Sequence, residues 1–208
     1  MALFITFEGG EGSGKSVQAR SLYRRLSLSA IPAVLTHEPG GTPLSKKISY
    51  WLKWGQKVDI SPVTELLLFN ASRAQLVKEV IQPNLKAGKV VLCDRFTDST
   101  IAYQSYGRGL DLDMVTAINN AATQGLSPSL TVLLDMPPEE GLARIRGREK
   151  DRFEKEDIDF HRRVRNGYLK LAASEPERWL VIDASQSKAR IREIIWQRVS
   201  QLLSSQRD

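Results

Sequence analysis

The sequence predicts an α/β fold in which a central parallel sheet of about five strands is flanked by helices on both faces. Three observations carry this reading. Short apolar runs recur at Leu3 to Phe7, Ala33 to Thr36, Val90 to Cys93, Leu130 to Leu134 and Trp179 to Ile182; longer stretches of helical periodicity separate them; and a glycine-rich loop joins the first run to the first helical stretch. Strands that alternate with helices pair in parallel through crossovers, which leaves helices on both faces of the sheet.

The helices carry their own punctuation. Ser61 followed by Pro62 reads as an N-cap and a first-turn proline, and from there to about Gln82 the residues Leu66, Phe69, Arg73, Leu76 and Val80 recur at spacings of three and four. One face of that helix therefore points inward. Asp111 can cap the next helix and Gly125 can end it.

The 208 residues suit one folded unit spanning 1–208 with a substantial core. A hydrophobic share of 41% and a charged share of 26% exclude a disordered, collagen-like or coiled-coil chain. The net charge of +6 is compatible with acidic ligands such as phosphates or with nucleic acid. The only cysteine, Cys93, excludes an internal disulfide and a thiolate cluster, and fits a reducing compartment. Met1 to Phe7 lacks a basic leader and breaks at Glu8-Gly9-Gly10, and no apolar run approaches the ~20 residues that cross a bilayer, so no targeting or membrane segment is expected.

Directly after the first run, Gly9-Gly10-Glu11-Gly12-Ser13-Gly14-Lys15-Ser16 matches G-x-x-x-x-G-K-[ST], and Val17, Leu22 and Leu26 follow in helical register. Backbone N–H groups of such a loop turn inward around a phosphate, and the following helix N-terminus adds partial positive charge. Lys15 would reach the β- and γ-phosphates, while the Ser16 hydroxyl would bind Mg²⁺. Asp94 closes the third run and is positioned as the second acidic group holding that ion through water.

Arg95 follows, where a motor ATPase would carry a glutamate that activates water, and the Asn-Lys-x-Asp signature of a GTPase is absent. A guanidinium beside the magnesium carboxylate suits a second anionic substrate, which it can grip with two parallel hydrogen bonds. Transfer between two phosphates is thus favoured over hydrolysis; the plain alternative for Arg95 is a surface ion pair. From Arg144 to Arg165 basic and acidic side chains interleave, and Phe153 is the only aromatic between Arg144 and Asp159. A nucleic-acid groove would want a less neutralised stripe with stacking platforms, so a lid closing over a transferring phosphoryl group fits better, with Arg148 and Arg152 as its working residues and Arg144 behind them.

Phe69 and Arg73 share a helix face and can offer a ring beside a guanidinium fork to a nucleobase. Ser99, Thr100, Tyr103 and Gln104 can hydrogen-bond a base edge and a sugar. On physical grounds alone these same residues could equally be core aromatics and caps.

The constellation resembles the thymidylate kinases, members of the P-loop nucleoside monophosphate kinases. The resemblance rests on Phe7-Glu8-Gly9, the phosphate loop containing Glu11, Glu38-Pro39-Gly40-Gly41-Thr42, Asp94-Arg95-Phe96, Ser99-Thr100, Ala102-Tyr103-Gln104 and Asp151-Arg152-Phe153-Glu154, and runs over almost the whole chain. It implies a P-loop kinase fold with a lid at about 144–156, and transfer of the γ-phosphoryl group of ATP to dTMP with Mg²⁺, giving dTDP for dTTP synthesis and DNA replication. It further implies a cytoplasmic homodimer. ATP would lie on Gly9 to Val17, and dTMP on Pro39, Phe69, Arg73, Arg95, Ser99, Thr100, Tyr103 and Gln104. In detail, Phe69 would stack on thymine, Arg73 would bond its exocyclic oxygen, Thr100 and Gln104 would lie near the base and Arg95 on the monophosphate. Glu11 would meet the sugar 3′-hydroxyl and Tyr103 would exclude a ribose 2′-hydroxyl. Eukaryotic-type members carry arginine where this chain has Gly12, so the charge must come from the lid. Related bacterial sequences commonly have arginine where this chain has His37, whose reference pKa of ~6.5 leaves it mostly neutral at pH 7. His161, on the helix after the lid, is expected at the surface. A kinase for another monophosphate or a deoxynucleoside, and a nucleotide-dependent switch or nucleic-acid binder, remain the rival readings.

Overall fold

The computed structural model describes residues 2–55, 59–147 and 149–205. All five expected strands form: β1 (Phe4–Glu8), β2 (Ala33–His37), β3 (Val90–Asp94), β4 (Leu130–Asp135) and β5 (Trp179–Asp183). They pair in parallel in the order β2-β3-β1-β4-β5. β1 is central, with Phe7 opposite Asp94 of β3 and opposite Val132 of β4. The chain leaves β1 towards one edge and later returns to its other side, so the crevice beyond the carboxyl end of β1 is the topological switch point.

The helices are α1 (Lys15–Leu28), α2 (Pro43–Trp54), α3 (Pro62–Leu76), α4 (Gln82–Lys86), α5 (Thr97–Thr100), α6 (Leu112–Thr123), α7 (Pro138–Arg144), α8 (Ile158–Ser174) and α9 (Lys188–Ser204). Ser61 caps α3 by accepting from Thr64 N–H, and Asp111 caps α6 by accepting from Met114 N–H. The residue that closes α6 is Gln124, in left-handed conformation, with Gly125 following it in the same region. The long helix expected from Pro62 to about Gln82 continues to Lys86, but through a π-helical turn at Val77–Ile81. Pro83 lacks an N–H, and in a regular α-helix its ring would clash with the carbonyl of Glu79, four residues back; the wider turn gives that carbonyl room. A second π-helical segment, Ile101–Gly107, extends α5.

Alternation along β1 sorts the core. Ile5 and Phe7 point to the face covered by α1 and α9, where they meet Leu22, Leu26, Ile191 and Ile195. Phe4 points the other way and packs edge-to-face on Phe96, 4.9 Å between ring centres, with Leu76 and Ile81. A third cluster, containing Tyr103, Phe153, Phe160, Tyr168 and Trp179, lies under α8. Thr6 and Glu8 share the Phe4 face, and both are fully buried although polar.

Those buried polar groups are matched. Thr6 and Thr131 share a hydroxyl contact of 3.0 Å, and Arg178 NH1 donates at 2.7 Å to both Thr131 Oγ1 and Asp98. Asp98, 2% exposed, is thereby tied to the turn before β5 and anchors α5, which carries Ser99 and Thr100. Breaking a buried ion pair strands the remaining charge, so Asp98→Ala should lower the unfolding free energy by about 3 kcal/mol in urea titration. A loss well under 1 kcal/mol would mean that water satisfies Arg178 (an exposed pair contributes only about 0–1 kcal/mol).

Candidate active site

Beyond the end of β1, residues 9–16 wrap a loop whose shape is set by backbone packing. Gly12 has φ 70, and a Cβ there would lie 2.0 Å from the Gly141 carbonyl oxygen; a Cβ on Gly141 would lie 2.1 Å from the Glu11 carbonyl oxygen. The loop and α7 are thus in bare backbone contact, which only glycine permits on both sides. Lys15 is buried, and its ammonium donates to Gly9 O at 2.9 Å and Gly10 O at 2.7 Å. Ser13 Oγ donates to Gly10 O at 2.9 Å. The Ser16 hydroxyl donates to Asp94, so the two expected metal ligands meet.

Arg95 begins the opposite wall. Its backbone has φ 72, a left-handed conformation that side chains disfavour, and it is pinned by Arg95 N–H to Phe7 O at 3.0 Å and Phe96 N–H to Glu8 Oε1 at 2.7 Å. The guanidinium then reaches back over the loop, donating to Glu11 at 2.6 Å, Gly9 O at 3.2 Å, Ser99 Oγ at 3.2 Å, Tyr103 Oη at 3.2 Å and Tyr168 Oη at 3.3 Å. Glu8 takes the Ser99 hydroxyl at 2.5 Å and the Tyr168 hydroxyl at 3.0 Å.

Charge follows from this crowding. Burial raises Glu8 to about 7, helped by Asp98 and opposed by the Ser99 hydrogen bond and Arg95. Burial would also raise Glu11, but Arg95, Lys15 and the Tyr103 hydroxyl at 2.6 Å outweigh it and hold that carboxyl down to about 2. Burial and the neighbouring Arg95 bring Lys15 down to about 8, against the pull of Glu11, Asp94 and Glu8.

A cavity of about 790 Å³ runs from the loop to the acceptor side, lined among others by Glu11, Lys15, Ser16, Pro39, Phe69, Arg73, Asp94, Arg95, Ser99, Thr100, Tyr103 and Gln104. Pro39 follows a cis peptide bond from Glu38. Phe69 is tilted against Phe153, 5.7 Å between centres. Arg73, 1% exposed, donates to Glu38 at 2.7 and 2.8 Å, to Asn119 at 2.7 Å, to Thr100 Oγ1 at 2.8 Å and to Phe96 O at 3.0 Å. Its guanidinium is fixed at the cavity wall by its own protein partners. Gln104 donates to buried Glu65 at 2.7 Å.

Several expectations change. Arg152 does not reach the phosphate loop: its NH2 group donates to Glu65 at 2.5 Å and its guanidinium lies over the Phe153 ring at 5.1 Å, because a buried carboxylate on α3 competes for it. Arg144 donates to Ala184 O at 3.1 Å, next to β5. Arg148 lies outside the described residues. His161 is 4% exposed rather than on the surface: it packs edge-to-face on Phe160 at 5.5 Å, and burial lowers its pKa against the attraction of Glu11. Desolvation also lowers His37, with Lys53 and Lys46 adding to it against Asp94, so His37 brings no positive charge at neutral pH.

Residues 7–195 match the family model described as thymidylate kinase. The chain belongs to the thymidylate kinase family. It is 55% identical over 203 residues to a thymidylate kinase of Dehalococcoides mccartyi strain BAV1, covering 98% of both chains, and 48% identical over 200 residues to one of Deinococcus radiodurans, covering 96% of this chain and 97% of the other. It is also similar to the crystal structure of thymidylate kinase from Ehrlichia chaffeensis, with a TM-score of 0.77 and 33% identity over 95% of this chain and 98% of that one.

Within this family member, sequence reasoning assigned no role to Glu8, Glu65, Tyr168 or Gly141. Two had a signal: Glu8 is a carboxylate ending an otherwise apolar strand, and Glu65 stands four residues before Phe69 and eight before Arg73, on the same helix face. Tyr168 and Gly141 had none.

With Lys15 near 8 in the free enzyme, kcat/KM for the phosphoryl donor should fall as pH rises through about 8, because only the protonated ammonium attracts phosphate. A profile flat to pH 10, the range of an ordinary lysine at ~10.4, would refute this role.

Proposed function

We propose that this chain is the kinase that transfers the γ-phosphoryl group of ATP to dTMP, giving dTDP for dTTP synthesis and DNA replication. The observation that carries the reading is the position of Arg95: its guanidinium bridges the phosphate loop, through Gly9 O and Glu11, and the acceptor wall, through Ser99 and Tyr103. An anion held there stands between a donor phosphate on the loop and a base against Phe69. Phosphoryl transfer requires little beyond such positioning and charge stabilisation. The acceptor phosphate is already an anion, so no general base is needed.

In this reading Lys15 leaves the loop carbonyls it now caps and meets the β- and γ-phosphates. Glu11, held ionised by Arg95, orients the acceptor sugar and keeps Arg95 aimed. Ser16 and Asp94, a hydroxyl and a carboxylate in contact at the cavity wall, are the hard oxygen ligands that suit Mg²⁺, an ion that retains waters and phosphate oxygens as its other ligands. When bound, Mg²⁺ would neutralise charge on the β- and γ-phosphate oxygens. Arg148 is the lid residue we assign to the transferring group, with Arg152 supporting the acceptor side. We further propose one kinase domain over the whole chain, a cytoplasmic setting that suits the lone buried Cys93, and a homodimer. The dimer is supported by Tyr50 and Trp51 on α2 and Val63 and Leu67 on α3, large apolar side chains left exposed on packed helices.

Incubation with Mg²⁺, ATP and a panel of dTMP, dUMP, thymidine, AMP and GMP, with products separated by ion-exchange chromatography, tests the assignment. dTDP and ADP should appear in equal amounts with dTMP preferred; preference for AMP or GMP, or ATP hydrolysis without dTDP, would reject it. Lys15→Met should lose most of the activity, at least about a hundredfold, with its circular dichroism unchanged.

A further inference from the structure

Glu65 lies in the first turn of α3, 1% exposed, and both carboxylate oxygens are occupied. Oε1 accepts from Gln104 Nε2 at 2.7 Å and Arg108 Nε at 3.3 Å, and Oε2 accepts from Arg152 NH2 at 2.5 Å and Arg108 NH2 at 3.3 Å. The two ends of a glutamine amide are nearly alike in shape, so packing alone does not choose between them. A carboxylate flanked by two guanidinium groups does choose: it has lone pairs only, so the NH2 end must face it. The amide oxygen of Gln104 is therefore turned away from Glu65. Among the described residues it accepts no hydrogen bond, nor is it an orphaned buried atom, and Gln104 lines the nucleotide cavity with Phe69 and Thr100.

The cavity wall thus offers the base an acceptor at Gln104. A 4-oxo pyrimidine carries a hydrogen on N3 and can donate to it. A 4-amino pyrimidine has a bare N3, which would set lone pair against lone pair. Stacking on Phe69 does not distinguish these rings, because both present similar π faces.

We infer that Glu65 is a specificity-determining positioning residue: by holding the Gln104 amide with its oxygen towards the base, it makes the acceptor site select 4-oxo over 4-amino pyrimidine monophosphates. The inference rests on the function proposed above and adds to it a residue that touches neither nucleotide. Because Arg152 of the lid segment shares the same carboxylate, the lid and the base reader meet at one group.

The test compares kcat/KM for dTMP with that for 5-methyl-dCMP, which differs only in the amino group and the bare N3. In Glu65→Gln the partner amide can present either end, so Gln104 is released to turn. Discrimination should fall by about tenfold or more, the cost of one mispaired hydrogen bond, with KM for dTMP rising and kcat at saturation changing less. Gln104→Met, which keeps Glu65 and its arginines, should show the same fall, and adding Glu65→Gln to it should change discrimination no further. A purely structural Glu65 would instead lower kcat for both substrates alike in either background. Unaltered discrimination in Glu65→Gln or in Gln104→Met overturns the inference, as does an additive double variant; if Glu65→Gln fails to fold, Gln104→Met alone decides. Parent enzyme that makes no dTDP overturns the proposed function and this inference together, whereas dTDP formation with unaltered discrimination in the variants overturns this inference only.

Discussion

Glu8 receives the Phe96 N–H on one oxygen and the Ser99 and Tyr168 hydroxyls on the other, in a place water does not reach. Much of the site depends on this arrangement. Left-handed backbone at a residue with a side chain costs on the order of 1–3 kcal/mol and persists only where its surroundings over-determine it. At Arg95 the hydrogen bonds to β1 on either side do so, and the turn sends the guanidinium back across the loop instead of outward along the strand axis. Ser99, which bonds both Glu8 and Arg95, joins the brace to the group it aims.

The same crowding explains why the free site tolerates so many charges. Arg95 and Lys15 are both partly stripped of water, and each finds oxygen partners inside the protein: Glu11 for Arg95, and the loop carbonyls for Lys15. Glu11 balances the charge of Arg95, whereas the loop carbonyls satisfy the Lys15 ammonium without balancing its charge. In the proposed function, incoming phosphate oxygens would replace neutral carbonyls around the ammonium, an exchange that favours ligand in a low-dielectric cleft.

What the sequence reveals is local. The five strands were legible because each is a short apolar run bounded by helical periodicity, and the caps at Ser61 and Asp111 because their hydrogen bonds close within three residues. The phosphate loop was legible for the same reason, its glycines and lysine being contiguous. Partners across the chain were not. Glu8 and Tyr168 are 160 positions apart, and Gln104 and Glu65 are 39 apart, so nothing in either neighbourhood announces the other. The pairing of Arg152 with Glu65 was not legible because an interleaved run of charges does not say which of them will find a buried counter-ion. His161 was misread because a lone histidine beside arginines has a surface composition even when its ring packs inward on Phe160. The π-helical turn ahead of Pro83 was out of reach for another reason: the apolar spacing of three and four continues through it unchanged.

The contact between Gly12 and Gly141 makes the phosphate loop and α7 a single mechanical part. α7 ends at Arg144, and Asp151 to Glu154 follow it in the chain. The loop and the root of that segment therefore meet backbone to backbone, with no side chain between them to act as a cushion.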